Sequence, residues 1–219
     1  MIEVFEAPRR ETQEILGRRV CEAFVANGYK TASYVATAAE AAELASGMIP
    51  DGCSVGIPGT VTVREIGLME KLKERGCALY YHWDPALAPE DRAARLAAEN
   101  AADWFVTSSN AVTHDGMMVN IDGTGNRVAC MAWGTGKILY IVGMNKVCRD
   151  LHSAVRRARD VATPPNAVRI GAKKPPCTKT GHCVDCNSPD RICRVLTIME
   201  RSPFGREAHV ILVGESLGY

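Results

Sequence analysis

Short apolar runs alternate with amphipathic segments from Cys53 to Arg159, and this alternation limits the fold more than any other feature of the chain. Cys53–Ile57, Cys77–His82, Trp104–Ser108, Met117–Ile121 and Lys137–Val142 have the length and apolar content of buried strands. Val63–Glu74, a segment opening at Pro89 and reaching about Ala102, and Lys146–Arg159 read as helices between and after them. Alternation of strands and helices is the signature of βαβ units. They predict an α/β fold with a mostly parallel sheet flanked by helices. Two helices come first. Residues 8–27 carry Ile15, Leu16, Val20, Phe24 and Val25 at helical spacing, with Gly28 placed to cap the end. Thr37 and Glu40 form a capping box that opens a helix to about Ser46. Ala208–Val213 reads as a last strand returning to the sheet.

The pattern changes from Val161 to Arg206. Pro164, Pro165, Pro175, Pro176, Pro189 and Pro203 interrupt it, and the stretch is long for a loop without its own order. It also holds four of the nine cysteines, within the 17 residues CTKTGHCVDCNSPDRIC. We therefore expect a single α/β domain over 1–219 with a Cys-rich insertion at 161–206 before its final strand. The spacing C-x5-C-x2-C-x6-C places Cys177, Cys183, Cys186 and Cys193 around turns at Gly181 and Asn187–Pro189. A metal centre would order such a segment. Structural zinc sites usually pair two CxxC knuckles, and only one CxxC exists here; iron–sulfur ligands more often fall in one compact run. The expected cofactor is thus a [4Fe–4S] cluster in preference to zinc. His182 beside Cys183 reads as a surface residue. The other cysteines, Cys21, Cys53, Cys77, Cys130 and Cys148, read as small buried hydrophobes.

An odd cysteine count argues against a disulfide framework. The opening MIEVFEAPRRETQEI has no apolar core of a secretory signal, and no run reaches the roughly 18 apolar residues of a membrane span. The expectation is a cytoplasmic protein. Net charge is +1, but residues 149–206 hold 12 Lys and Arg against 5 Asp and Glu, leaving −6 for the rest. Cations around four thiolates account for that local excess, and the overall balance argues against nucleic acid as a partner.

Two polar, glycine-rich stretches follow strands. In GIPGTVTVREIGL (56–68), Gly59 permits close backbone approach, while Thr60 and Thr62 can cap a helix whose free N–H groups attract phosphate or carboxylate. In SSNAVTHDGMMVNIDGTGNRVA (108–129), Asp115-Gly116 and Asp122-Gly123 are hairpin signals. Hairpin turns leave Asn110, Asn126 and Arg127 unexplained, which points to a ligand site. His152 and His209 read as structural, and Trp83, Trp104 and Trp133 as core or rim residues.

Together with ILYIVGMNKV, these two segments make the chain resemble LUD-domain proteins of the lactate-utilisation group over nearly its whole length. It is most similar to the subgroup whose C-terminal part carries PCTKTGHCVDCNSPDRIC before a final strand. The resemblance implies a fold related to ribose-5-phosphate isomerase, glucosamine-6-phosphate deaminase and the CoA transferases. It implies a pocket at Gly59, Thr60, Asn110, Asp115, Gly123, Gly125, Asn126 and Arg127, taking a small organic acid or a phosphorylated ligand. It also implies a role as an oxidoreductase component with a redox partner protein, and homo-oligomeric association. Two alternatives stand beside it: a non-redox isomerase or CoA-transferase-like enzyme, and a phosphate-ligand binding module, each with a structural zinc site.

Overall fold

The computed structural model describes residues 3–219; Met1 and Ile2 of the opening segment lie outside it. Among the described residues, ten strands form two sheets. The larger contains β1 (Thr31–Val35), β2 (Ser54–Gly56), β3 (Ala78–Tyr80), β4 (Trp104–Thr107), β7 (Lys137–Gly143) and β10 (Ala208–Val213), in the order β1-β10-β7-β4-β2-β3 with every pairing parallel. The smaller has the order β8-β5-β6-β9, from β5 (Ala111–Thr113), β6 (Met118–Asp122), β8 (Val147–Cys148) and β9 (Val195–Met199). There β6 runs antiparallel to both neighbours.

Period-2 alternation along the central strands builds a core on each face of the large sheet. Leu139 and Ile141 of β7 and Ile211 and Val213 of β10 face one side. There they meet α2 (Ala38–Met48), α3 (Val61–Glu65) and α4 (Leu68–Glu74). Ile138, Tyr140 and Val142, with Val210 and Leu212, face the other. That side packs on α1 (Glu3–Ala26), α6 (Asn126–Ala132) and one face of the small sheet, through Phe24, Val128, Val112, Met118 and Met199. The far face of the small sheet, Ala111, Val119 and Ile121, buries Ala154 and Ala158 of a helical rod and also Cys193.

Local signals account for most elements. Thr37 and Glu40 form the expected reciprocal capping box of α2, and Gly28 takes the left-handed φ of 88° just past α1. Gly56 has no room for a side chain: a Cβ there would stand 2.1 Å from the Glu99 carbonyl oxygen of α5 (Arg92–Ala101). A 3₁₀ turn at Pro89–Asp91 leads into that helix.

Four expectations are corrected. The helix expected over Val63–Glu74 is two helices, because Gly67 turns left-handed at φ 70° between α3 and α4. The helix expected from Lys146 starts at α7 (Leu151–Arg157), where Asp150 and Ser153 form a capping box. Lys146 instead closes a 3₁₀ turn after β7. The insertion expected at 161–206 is partly regular. The rod continues through a π-helical turn at Ala158–Ala162 into α8 (Thr163–Arg169). Pro164 and Pro165 fall in the first turn of α8, directly after the π-helical turn. Before β9 lies only a short α9 (Cys177–Thr180). Finally, Asp122-Gly123 is no hairpin turn but the link from β6 to α6; the hairpin is made by Asp115-Gly116 alone. Among the described residues no helix is long and apolar enough to cross a membrane.

Candidate functional site

The parallel strands β2, β4 and β7 end on the same side of the sheet, and the segments that leave them enclose a cavity of about 510 Å³. Such crevices beyond the carboxyl ends of strands are where open α/β sheets place ligands. Its wall takes Gly59, Thr60 and Thr62 after β2, Ser108, Ser109 and Asn110 after β4, and Lys146 after β7. The end of β6 adds Asp122, Gly123 and Thr124, and the start of α6 adds Asn126 and Arg127. The Cys-rich segment closes one side with Asp190, Arg191, Ile192 and Arg194, and Gly218 and Tyr219 border another.

Six of the eight residues implied for the pocket therefore line one cavity: Gly59, Thr60, Asn110, Gly123, Asn126 and Arg127. Gly125 stands behind the lining as the left-handed residue (φ 83°) that starts α6. Asp115 does not belong. It sits at the tip of the β5–β6 hairpin, where its carboxylate accepts from Thr113 and its carbonyl from the Asn27 amide. The role expected of Thr60 as a helix cap also fails. Thr60 occupies the N-cap position of α3 without a side-chain cap bond, and its hydroxyl lies 3.3 Å from that of Thr107.

Several lining residues hold one another. Arg127 donates from Nε and Nη2 to Asp122 Oδ1 at 3.0 and 2.9 Å, and from Nη2 to Asn110 Oδ1 at 2.6 Å. The second Asp122 oxygen accepts the Val128 N–H at 2.8 Å, and Asn110 Oδ1 also accepts the Ile121 N–H at 2.9 Å. This knot ties β6, α6 and the β4–β5 link into one wall. Asn126 is freer; its Oδ1 accepts only the Thr124 hydroxyl at 2.7 Å.

Lys146 is the residue that sequence reasoning missed. It is 3% exposed, and its Nζ donates to Thr62 Oγ1 and Ser108 Oγ, each at 2.9 Å. Burial, reinforced by the Arg157 and Arg127 guanidiniums, pulls its pKa from 10.5 down to about 7. A lone lysine three residues past an apolar strand carries no chemical signal; only the fold buries it between two hydroxyls. The lining arginines, Arg127, Arg191 and Arg194, outnumber the lining aspartates, Asp122 and Asp190. Both carboxylates are engaged, Asp122 by Arg127 and Asp190 by Lys174 at 3.8 Å. The cavity is electropositive.

Beside it, Cys177, Cys183, Cys186 and Cys193 line one small enclosed cavity, and all four are free thiols. The Asp185 N–H donates to Cys183 Sγ at 3.4 Å and Arg191 Nε to Cys193 Sγ at 3.2 Å. Burial raises the Cys177 pKa, and the other three thiols raise it further. Four thiols with N–H donors on two sulfurs are a donor set suited to zinc or an iron–sulfur cluster. Among the described residues, however, no group of three or more His, Cys, Asp or Glu side chains is spaced to hold a metal ion. Arg191 and Ile192 line both cavities, and the Arg194 N–H donates to the Asp122 carbonyl at 2.8 Å, so the two sites share a wall. The remaining expectations divide. Cys21, Cys77, Cys130, Trp104 and His209 are buried, whereas His152 and Trp133 are exposed.

The LUD domain model matches residues 18–213. No curated protein matches the sequence. A DUF162 family protein from Deinococcus radiodurans is similar in structure, with a TM-score of 0.52 at 14% identity. The match covers 92% of this chain and 98% of that one and speaks to the fold. eIF2B beta from Chaetomium thermophilum matches 51% of this chain and 43% of its own, at 16% identity and a TM-score of 0.36.

Proposed function

The chain belongs to the LUD-domain family, and from that premise we propose that it is a lactate-utilisation-type protein binding a small organic acid in the 510 Å³ cavity. The observation that carries this reading is the charge of the lining. Three arginines, Arg127, Arg191 and Arg194, meet two aspartates, both engaged, beside the buried amine of Lys146. A carboxylate or phosphate offsets that excess; a neutral or cationic ligand does not. Thr60, Ser109 and Asn126 add neutral polar groups for hydroxyl or carbonyl oxygens.

In this proposal Cys177, Cys183, Cys186 and Cys193 hold an iron–sulfur cluster, which when bound supplies one-electron chemistry. That Arg191 and Ile192 line both cavities supports a centre lying beside the ligand. The chain then acts as an oxidoreductase component with a redox partner protein. A zinc site in the same thiols, serving a non-redox reaction of the isomerase and CoA-transferase kind, is the second reading, favoured by one observation. The segment is anchored to β6 and the rod by hydrogen bonds and an ion pair, as a structural staple would be.

Titration calorimetry with lactate, pyruvate and inorganic phosphate tests the cavity, and an absorption spectrum with iron and sulfide analysis of anaerobically purified protein tests the centre. Anion binding lost in Asn126→Ala or weakened by salt supports the first. A colourless protein with one zinc would replace the cluster by the second reading.

A further inference from the structure

We propose that Lys146 is a nucleophile that forms an imine with a 2-oxo acid bound in the cavity. This rests on the reading of the cavity as an organic-acid site and goes further, because it names the reacting carbon and the bond made to it.

The geometry begins with where the amine is held. Lys146 is buried on the cavity wall, and its Nζ sits 2.9 Å from both Thr62 Oγ1 and Ser108 Oγ. Two short hydrogen bonds fix a side chain that otherwise has many rotamers. They come from different elements, α3 and the link after β4, so the amine is positioned by the tertiary fold. Backbone closes a further side: a Cβ on Gly218 would stand 3.1 Å from Nζ and 2.6 Å from Thr62 Oγ1.

Charge decides what such an amine does. A buried lysine that serves only structure is normally paired with a carboxylate. Here both polar partners are neutral hydroxyls. The charged groups that influence Nζ are Arg157 and Arg127, which repel its proton, and Glu65, whose weaker attraction does not offset them. The Glu65 carboxylate is itself occupied by the Gly218 N–H at 2.5 Å. An amine desolvated beside cations loses its proton near neutrality and gains a lone pair, which is how lysines become nucleophiles toward carbonyls. Arg191 and Arg194 in the same cavity supply the charge to seat the acid's carboxylate.

The step balances without an oxidant or reductant. The Nζ lone pair forms a bond to C2 of the 2-oxo acid, and the carbonyl π electrons move to its oxygen, which takes a proton. That proton comes from the nitrogen; the nitrogen's second proton passes to the new hydroxyl, the C–O bond breaks and one water leaves, giving the C=N bond. The Thr62 and Ser108 hydroxyls lie where they can pass those protons.

The test uses the full chain incubated with pyruvate or glyoxylate and sodium cyanoborohydride, followed by intact mass and peptide mapping. One reduced adduct on Lys146 is expected, formed faster as pH rises from 6 to 8, absent with lactate and lost in Lys146→Met. Calorimetry with the same acids keeps the two ideas separate. Binding without an adduct, or labelling of Lys146 no faster than of exposed Lys73 or Lys137, overturns the imine and leaves the organic-acid site standing. Absence of both binding and adduct overturns both.

Discussion

Replacing Lys146 by methionine should make the protein more stable at acid and neutral pH and erase that advantage at alkaline pH. The wild-type lysine has a pKa of 10.5 when unfolded and about 7 when folded, because the native site desolvates it among cations. Below about pH 7 both states hold the proton, and the folded state bears the whole cost of the buried charge. Between about 7 and 10.5 the unfolded chain binds a proton that the native protein has released, so wild-type stability rises with pH. Each pH unit of the difference is worth about 1.4 kcal/mol, which makes the full cost about 5 kcal/mol. Methionine carries no such cost but forfeits two hydrogen bonds, to Thr62 and Ser108, worth about 1 kcal/mol each. The variant should therefore be more stable by about 3 kcal/mol near pH 6. That advantage should shrink by about 3 kcal/mol by pH 9.5 and vanish there. Urea unfolding of both proteins across this range, followed by circular dichroism, measures the difference. Titrations elsewhere cancel, since they are common to both chains. A difference that stays flat, or one that grows with pH, would show that the amine keeps its proton, and the reasoning about Lys146 would be wrong.

Asn126→Ala should weaken anion binding in calorimetry with little change in melting temperature, since Asn126 accepts only one local bond, from Thr124. Arg127→Ala should instead cost about 3 to 5 kcal/mol in denaturant unfolding, because Asp122 and Asn110 lose a buried partner; Arg127→Lys should restore little, lacking the planar fork. Gly56→Ala should destabilise by about 1 to 3 kcal/mol or more, as a Cβ there meets the Glu99 carbonyl oxygen at 2.1 Å. The double variant Cys183→Ser and Cys186→Ser should purify anaerobically without bound iron or zinc. Retention of one full metal equivalent would refute the assignment of those ligands.

The class of the fold and much of its local grammar are legible along the chain. Alternating apolar runs of strand length with helical segments leaves few architectures that bury both, and the parallel sheet follows. Capping by Thr37 and Glu40 and the glycine end of α1 were legible for the same reason: they are interactions within a few residues. So was the grouping of four cysteines, which lie close in the chain before they lie around one cavity. What needed tertiary structure is what depends on distant segments meeting. β1 is half polar and is a strand because β10 offers it an edge. β9 pairs with β6 across more than one other element, so its residues read as part of a proline-broken insertion. Arg127 suggested a ligand contact by type, yet its guanidinium serves Asp122 and Asn110, a partnership fixed only when β6 and the β4–β5 link pack. Lys146 is the extreme case. Its residue type predicts an exposed charge, and the depressed pKa exists because α3, the link after β4 and the Gly218 backbone close around it.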